Sequence, residues 1–287
     1  MKVRILGTAA GGGYPQWNCA CARCAWARST GVSRLQDTVA VSVRDREWWL
    51  LNASPDLRAQ ISGCADLLPR EGRATPIRGV VLTTAELDHT LGLPMLREAA
   101  ELRVVAHPAV LGALDGLRQV LRPYTAVSWC GTGPEQELVL EPGLTLRLLV
   151  VGDKPPRYAS GPGPGWVSAV RLTDAVTGGS LVYAPCLPRW TARFAAFAAG
   201  ASAVLLDGTF CTDDEMTVVA GRGRSARAMG HLPIVDSLSH LSTSGGGVVR
   251  YTHLNNTNPL LDPASAEREL LRAAGVAAAE DGEVLVV

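Results

Sequence analysis

The chain has 287 residues, 47% hydrophobic and 19% charged, with 27 Lys+Arg against 27 Asp+Glu and a formal net charge of zero. That apolar content excludes a disordered chain, and the charge balance removes the electrostatic footprint of nucleic-acid binding. No run reaches the roughly 18–20 apolar residues that span a bilayer, so neither nucleic acid nor membrane is an expected partner and the cytoplasm is the expected address.

The N-terminus, Met1 to Gly7, reads as a first strand rather than a signal peptide, and Val3–Thr8 is predicted as β. Asp37–Val43 and Glu47–Asn52 are the next strand candidates; Pro55–Ile61 is predicted as one or two helical turns. Ile77–Thr83 is a short apolar run, the pattern of a buried strand. A helix is predicted over Leu91–Leu102, a strand at Arg103–Ala106 and a helix over Pro108–Leu121. The second half repeats the rhythm. Strands are expected at Leu144–Val150, Val167–Leu172, Ser180–Tyr183, Ala203–Asp207 and Val248–Thr252. Helices are expected at Thr191–Ala199, from Gly230 to Leu241 and at Ala264–Ala274, with a last strand at Glu283–Val287. With no linker between the halves, residues 1–287 are expected to form one layered α/β or α+β domain. Gly152–Gly165, rich in Gly and Pro, reads as a functional loop.

Seven cysteines are an odd number for a disulfide framework. Cys19, Cys21 and Cys24 are close enough for three sulfurs to take one face of a zinc tetrahedron, on an irregular loop. Three reduced, packed thiols are the bland alternative. Such a site would be structural, with a fourth ligand from elsewhere. Cys64, Cys130, Cys186 and Cys211 lack such spacing and read as buried or incidental thiols.

Three strand ends carry chemistry. After the Ile77–Thr83 strand, Glu86, Asp88 and His89 offer oxygen and nitrogen donors; the same acids also suit a helix N-terminus, and both readings stand. After Val248–Thr252 comes His253, then the polar run Leu254-Asn255-Asn256-Thr257-Asn258-Pro259. Asp88, His89 and His253 would compose the 2-His-1-carboxylate set that suits non-haem iron with open positions. Asp207, at the end of the Ala203–Asp207 strand, and His231 are candidate ligands, orienters or acid–base groups; a helix cap or surface role is the alternative. His107 and His240 read as structural.

These motifs, taken in order, resemble a family. They are Gly11-Gly12-Gly13-Tyr14-Pro15-Gln16-Trp17-Asn18 with the cysteines, Glu86-x-Asp88-His89-Thr90-Leu91-Gly92-Leu93, Tyr183-Ala184-Pro185, Leu206-Asp207-Gly208-Thr209, Met229-Gly230-His231 and His253 to Pro259. The chain resembles the coenzyme PQQ synthesis protein B family of the metallo-β-lactamase superfamily over nearly its whole length. The resemblance implies an αββα sandwich, two mixed sheets face to face with outer helices and metal at the sheet edge. The superfamily motif His-x-His-x-Asp-His falls on Thr84-x-Glu86-x-Asp88-His89, so its first two histidines are replaced. The middle histidine is expected near Gly152-Asp153-Lys154 and the bridging aspartate near Tyr183-Ala184-Pro185, where none stands. A dinuclear hydrolase centre therefore does not follow; one metal on Asp88, His89 and His253 does.

The resemblance further implies a step in pyrroloquinoline quinone (PQQ) biosynthesis. It would be the O2-dependent hydroxylation, by Fe(II), of the tyrosine ring of a Glu–Tyr cross-linked diamino acid. Glu86, Asp207 and His231 would be catalytic candidates, and Lys154 and Arg157 would bind the substrate carboxylates. Relatives with the cysteine triplet complete their structural zinc with a histidine at the position of Asn256. Asn256 through oxygen, another group or water remains open for that fourth place. Other PQQ-biosynthesis proteins and a second copy of the chain are candidate partners. Two rival classes are a metal-dependent hydrolase and a non-catalytic carrier that transports the finished cofactor.

Overall fold

Trp48 and Leu50 face one way and Trp49 and Leu51 the other, as strand alternation requires. That parity, repeated along the chain, builds two seven-stranded sheets. In the computed structural model, residues 1–159, 163–221, 223–241 and 247–287 are described; residues 160–162 of the Gly- and Pro-rich loop lie outside them.

The first sheet contains β1 (Lys2–Gly7), β2 (Thr38–Ser42), β3 (Trp48–Leu51), β4 (Ile77–Val81), β5 (Glu101–Ala106) and β6 (Ala126–Gly131). The second contains β7 (Leu138–Glu141), β8 (Leu144–Gly152), β9 (Val167–Asp174), β10 (Ser180–Ala184), β11 (Ala203–Asp207), β12 (Val248–Thr252) and β13 (Ala277–Ala278). The last strand, β14 (Val284–Val286), returns to the edge of the first sheet. The orders are β14-β1-β2-β3-β4-β5-β6 and β13-β12-β11-β10-β9-β8-β7. Both sheets are mixed in the same way. β14-β1-β2-β3 and β7-β8-β9-β10 pair antiparallel, while β3-β4-β5-β6 and β10-β11-β12-β13 pair parallel.

Between the sheets, Val39, Val41, Leu51 and Val81 meet Leu146, Leu148, Val170, Leu181 and Leu205. Each such fully buried side chain stabilises the sandwich by about 1.5–3 kcal/mol. Helices cover the outer faces. Leu57, Val110, Leu111 and Leu121 pack on the first sheet; Phe194, Phe197, Ile234 and Leu271 pack on the second. The result is the expected αββα sandwich.

Four local expectations are corrected. The helix predicted over Leu91–Leu102 is instead a short helix, Leu87–Thr90, and a 3-10 turn, Leu93–Leu96, with β5 beginning at Glu101. Gly92 is pressed against Ala53 and Ser54, where a Cβ would lie 2.2 Å from the Ser54 carbonyl oxygen. Pro94 has no N–H to continue a helix. Pro108–Leu121 is two helices, Pro108–Ala113 and Asp115–Leu121, broken at Leu114 (φ −98°, ψ 14°). The cysteine segment is not wholly irregular, because Cys24 lies on the helix Ala22–Thr30. Strands β6 and β7 and the helix Glu215–Ala220 were absent from the predicted elements.

Candidate metal centre

The parallel halves of the sheets aim their C-terminal strand ends at one edge, where α/β folds place ligands. After β4 the chain turns through Thr83 and Thr84 into the helix Leu87–Thr90, which carries Asp88 and His89. β10 runs into Pro185 and Cys186, β11 ends on Asp207, and β12 delivers His253. The two sheets touch here: Ser168 N–H donates to the Thr83 carbonyl at 2.9 Å. His253 has a left-handed backbone, φ 59°, which costs a non-glycine residue about 1 kcal/mol. Its neighbours hold the bend: Leu254 N–H donates to Thr8 O at 2.7 Å and Gly208 N–H to Thr252 O at 2.8 Å.

Hydrogen bonds at Nδ1 orient all three histidines. His89 Nδ1 lies 2.7 Å from Thr84 Oγ1, which already accepts from Glu86 N–H at 3.1 Å. His253 Nδ1 lies 2.8 Å from Thr209 Oγ1. His231 Nδ1 lies 2.9 Å from Asp207 Oδ2 and 3.0 Å from Thr209 Oγ1. Thr209 has one hydroxyl proton, and Asp207 Oδ1 accepts it at 2.7 Å. The Thr209 oxygen therefore accepts from the rings. His231 and His253 therefore carry a proton on Nδ1, whereas Thr84 keeps its own hydroxyl proton and can donate to or accept from His89; in all three rings the Nδ1 bond fixes the orientation of Nε2.

Asp88 Oδ2 stands 3.2 Å from His253 Nε2 and 3.9 Å from His89 Nε2. Neighbouring donors around an ion with bonds of about 2.1 Å are themselves about 3 Å apart. His89 Nε2 is buried and has no hydrogen-bond partner. An orphaned buried nitrogen facing a carboxylate and a second imidazole fits a metal ion. Asp207 differs. Its Oδ2 also accepts Leu187 N–H at 2.7 Å and its Oδ1 Thr209 N–H at 3.0 Å, so both oxygens are engaged in orienting neighbours.

Electrostatics agree. Burial opposes the charge on Asp88, but His89 and His253 hold its carboxyl well below the usual carboxylate range. Burial pushes His89 down to about 4, so it is a neutral donor at pH 7. Burial also opposes charge on His253, yet the Asp88 hydrogen bond and the carboxylates of Asp88, Asp37 and Asp207 raise it to about 9. A cation at this place would replace that proton.

Three features had escaped the sequence reading. Asp37 is buried between the sheets and accepts hydrogen bonds from the hydroxyls of Tyr183 and Thr252; burial pushes its carboxyl up to about 6. Thr209 orients two imidazoles. Cys186, taken from sequence as an incidental thiol, lies in the site: its Sγ and one ring nitrogen each of His89 and His253 are all within 4.8 Å of one another. Threonine and a lone cysteine carry no motif signature. Asp37 alone had a signal, as an acid within a buried strand.

The mouth of the site carries the loop residues. The Lys154 ammonium donates to the Met229 carbonyl and lies over Gly230, whose φ is 96°. This gives the Met229-Gly230-His231 motif a role, since it seats a lysine beside His231. Burial raises the Glu86 carboxyl and Asp88 adds to the rise, opposed by Lys154, His231 and Arg157. His107 and His240 sit apart: His107 Nδ1 caps its helix by accepting Ala109 N–H at 3.2 Å, and His240 stacks on Trp190 at 4.9 Å.

A second donor cluster lies on the other side of the His253 turn. The Sγ atoms of Cys19, Cys21 and Cys24 lie within 4.8 Å of one another. Asn256 Nδ2 caps them at 3.2, 3.9 and 3.4 Å respectively. Rotating the amide by half a turn exchanges Nδ2 for Oδ1 and gives three sulfurs a fourth donor. Among the described residues, no helix is long and apolar enough to cross a membrane.

Comparison with known proteins bears on the family and the fold. Residues 47–254 match the beta-lactamase superfamily domain (Lactamase_B_2). The chain is 39% identical over 310 residues to coenzyme PQQ synthesis protein B of Azoarcus sp. (strain BH72), with 99% of each chain covered. It matches the crystal structure of Zn(2+)-bound PqqB from Methylobacterium extorquens with a TM-score of 0.92, 34% identity and 100% of each chain covered. A diphosphatase from the PhnP family matches with a TM-score of 0.72 at 19% identity, covering 99% of this chain and 96% of that one, a likeness of fold.

Proposed function

The chain belongs to the coenzyme PQQ synthesis protein B family of the metallo-β-lactamase fold, and from that premise we propose that it acts in PQQ biosynthesis as a metal-dependent oxygenase. The proposed reaction is hydroxylation of the tyrosine ring of a Glu–Tyr cross-linked diamino acid. The observation that carries the metal reading is His89 Nε2, buried without a partner and facing Asp88 and His253. Thr84 and Glu86 stand where a dinuclear hydrolase would have imidazoles, and the Thr84 hydroxyl is engaged with His89. One ion with open positions is therefore favoured over a metal-bridged hydroxide.

Asp88, His89 and His253 would hold Fe(II), which when bound supplies the electrons and Lewis acidity that reaction with O2 demands. Lys154 and Arg157 bind the substrate carboxylates and turn the phenol ring inward. His231, steadied by Asp207, takes or returns a proton at its free Nε2. Glu86 balances the cations at the mouth until substrate carboxylates replace it. Asn256 and the three cysteines would hold a structural zinc that pins the N-terminal loop to the turn after His253. Other proteins of the same biosynthesis would deliver the substrate and receive the product.

The test is anaerobic loading with Fe(II), then exposure to O2 with the cross-linked diamino acid and a reductant. Oxygen uptake and a product heavier by oxygen are expected. Saturable binding of the cofactor with neither uptake nor product would replace the oxygenase by a carrier. Lys154→Ala is expected to raise the substrate dissociation constant about tenfold with a smaller change in kcat; an unchanged constant removes the loop from recognition.

A further inference from the structure

Cys186 has no part in the reading above, yet it faces the centre of the site. It is a free thiol. It exposes 9% of its surface and His89 exposes 1%. Its Sγ forms a tight donor triad with His89 and His253, all three atoms within 4.8 Å of one another. A buried thiol by itself is usually a small hydrophobe. Here a second observation speaks against that: His89 Nε2, buried and without a partner, lies 3.9 Å from Asp88 Oδ2 in the same site. His253 also turns its Nε2 inward, because Thr209 engages its Nδ1 at 2.8 Å. Burial, with the carboxylates of Asp207, Asp88, Asp37 and Glu86 adding to it, keeps the thiol protonated while no cation is beside it. An apolar methyl-sized group gains nothing from four carboxylates. A sulfur sharing a cation with them does.

We infer that Cys186 is a thiolate ligand of the ion held at Asp88, His89 and His253, an inference that rests on the metal reading of that site. On binding, the thiol gives its proton to solvent and a sulfur–metal bond forms, with no change of oxidation state. The donor set becomes one oxygen, two nitrogens and one sulfur. Four donors close a tetrahedral zinc site but leave two positions on a six-coordinate ion. The same residues would then hold zinc in a closed, inert form and iron in an open one.

The test is cobalt substitution of the full chain, with zinc kept at Cys19, Cys21 and Cys24. Absorption spectra are taken for the parent, Cys186→Ser, Cys186→Ala and His253→Ala. The parent minus His253→Ala difference isolates the active-site ion. It is expected to contain a near-ultraviolet thiolate-to-cobalt charge-transfer band, absent from both Cys186 variants. Those variants are expected to bind Co(II) about tenfold or more weakly. A difference spectrum with ligand-field bands but no charge-transfer band, or equal Co(II) affinity in the Cys186 variants, overturns the thiolate ligand and leaves the metal site standing. A null difference spectrum overturns the metal reading itself. Cys186→Ser keeps the size of the side chain, so a folding defect in the alanine variant does not decide the matter.

Discussion

Glu215 is the first residue of the helix Glu215–Ala220 and exposes 4% of its surface. It accepts Cys211 N–H at 2.6 Å and the Thr257 hydroxyl, so it anchors the turn that carries Asn256 over the cysteines. Burial pushes its carboxyl up to about 7, against those two hydrogen bonds and Arg23. The folded chain therefore holds this proton more tightly than the unfolded chain, whose carboxyl titrates near 4.5. A raised pKa contributes stability that is fully present below the unfolded value and lost as pH rises through the folded one. At about 1.4 kcal/mol per pH decade, the contribution falls by about 2.5 kcal/mol between pH 5 and pH 8. Glu215→Gln mimics the protonated acid and does not titrate. Thermal melts of parent and variant across that range should therefore diverge as pH rises. The parent should lose about 5–10 °C relative to the variant, at 2–4 °C per kcal/mol for a chain of this order of size. Subtraction cancels the other titrating groups. A difference that stays flat within about 1 °C, or that grows toward low pH, would refute the assignment.

Thr209→Val removes the hydroxyl that accepts from His231 and His253 and donates to Asp207. Active-site metal affinity should fall about 10- to 100-fold, measured by competition with a chelator, while the melting temperature of the metal-free protein moves by only a few degrees. Asn256→Ala should weaken zinc at the cysteine cluster, read as faster zinc loss to a chromogenic chelator; Asn256→Asp, which keeps an oxygen donor, should restore retention. Equal loss rates in the parent and the alanine variant would exclude Asn256 as a ligand. His253→Ala should abolish Fe(II) binding at the active site while leaving zinc at the cysteines, measured by metal analysis after dialysis.

The strands that place the site were legible because they are short, apolar and buried. Ile77–Val81, Ala203–Asp207 and Val248–Thr252 were found to within two residues, and with them the positions of Asp88, Asp207 and His253. β6 and β7 were not, because their side chains are mostly exposed or half-buried and their pattern blurs into loop. The helix Ala22–Thr30 was hidden for another reason. Only Cys24 and Ala27 are buried on it, too few to mark a helical face. Cys186 and Thr209 act through partners brought from other strands. Their side chains have no characteristic spacing, so only the packed structure reveals what they touch.

His89 leaves the first sheet and His253 the second, so an ion bound by both is a cross-link between the two layers. Its affinity then reads the separation of the sheets. Tight binding at a thousandfold excess over the dissociation constant would add about 4 kcal/mol to the folded state. By the same linkage, a methyl group lost from the core at Leu148 or Leu205 would reach the ion as a mismatch between donors. Variants of the distant core should thus be as visible in metal occupancy as in melting temperature.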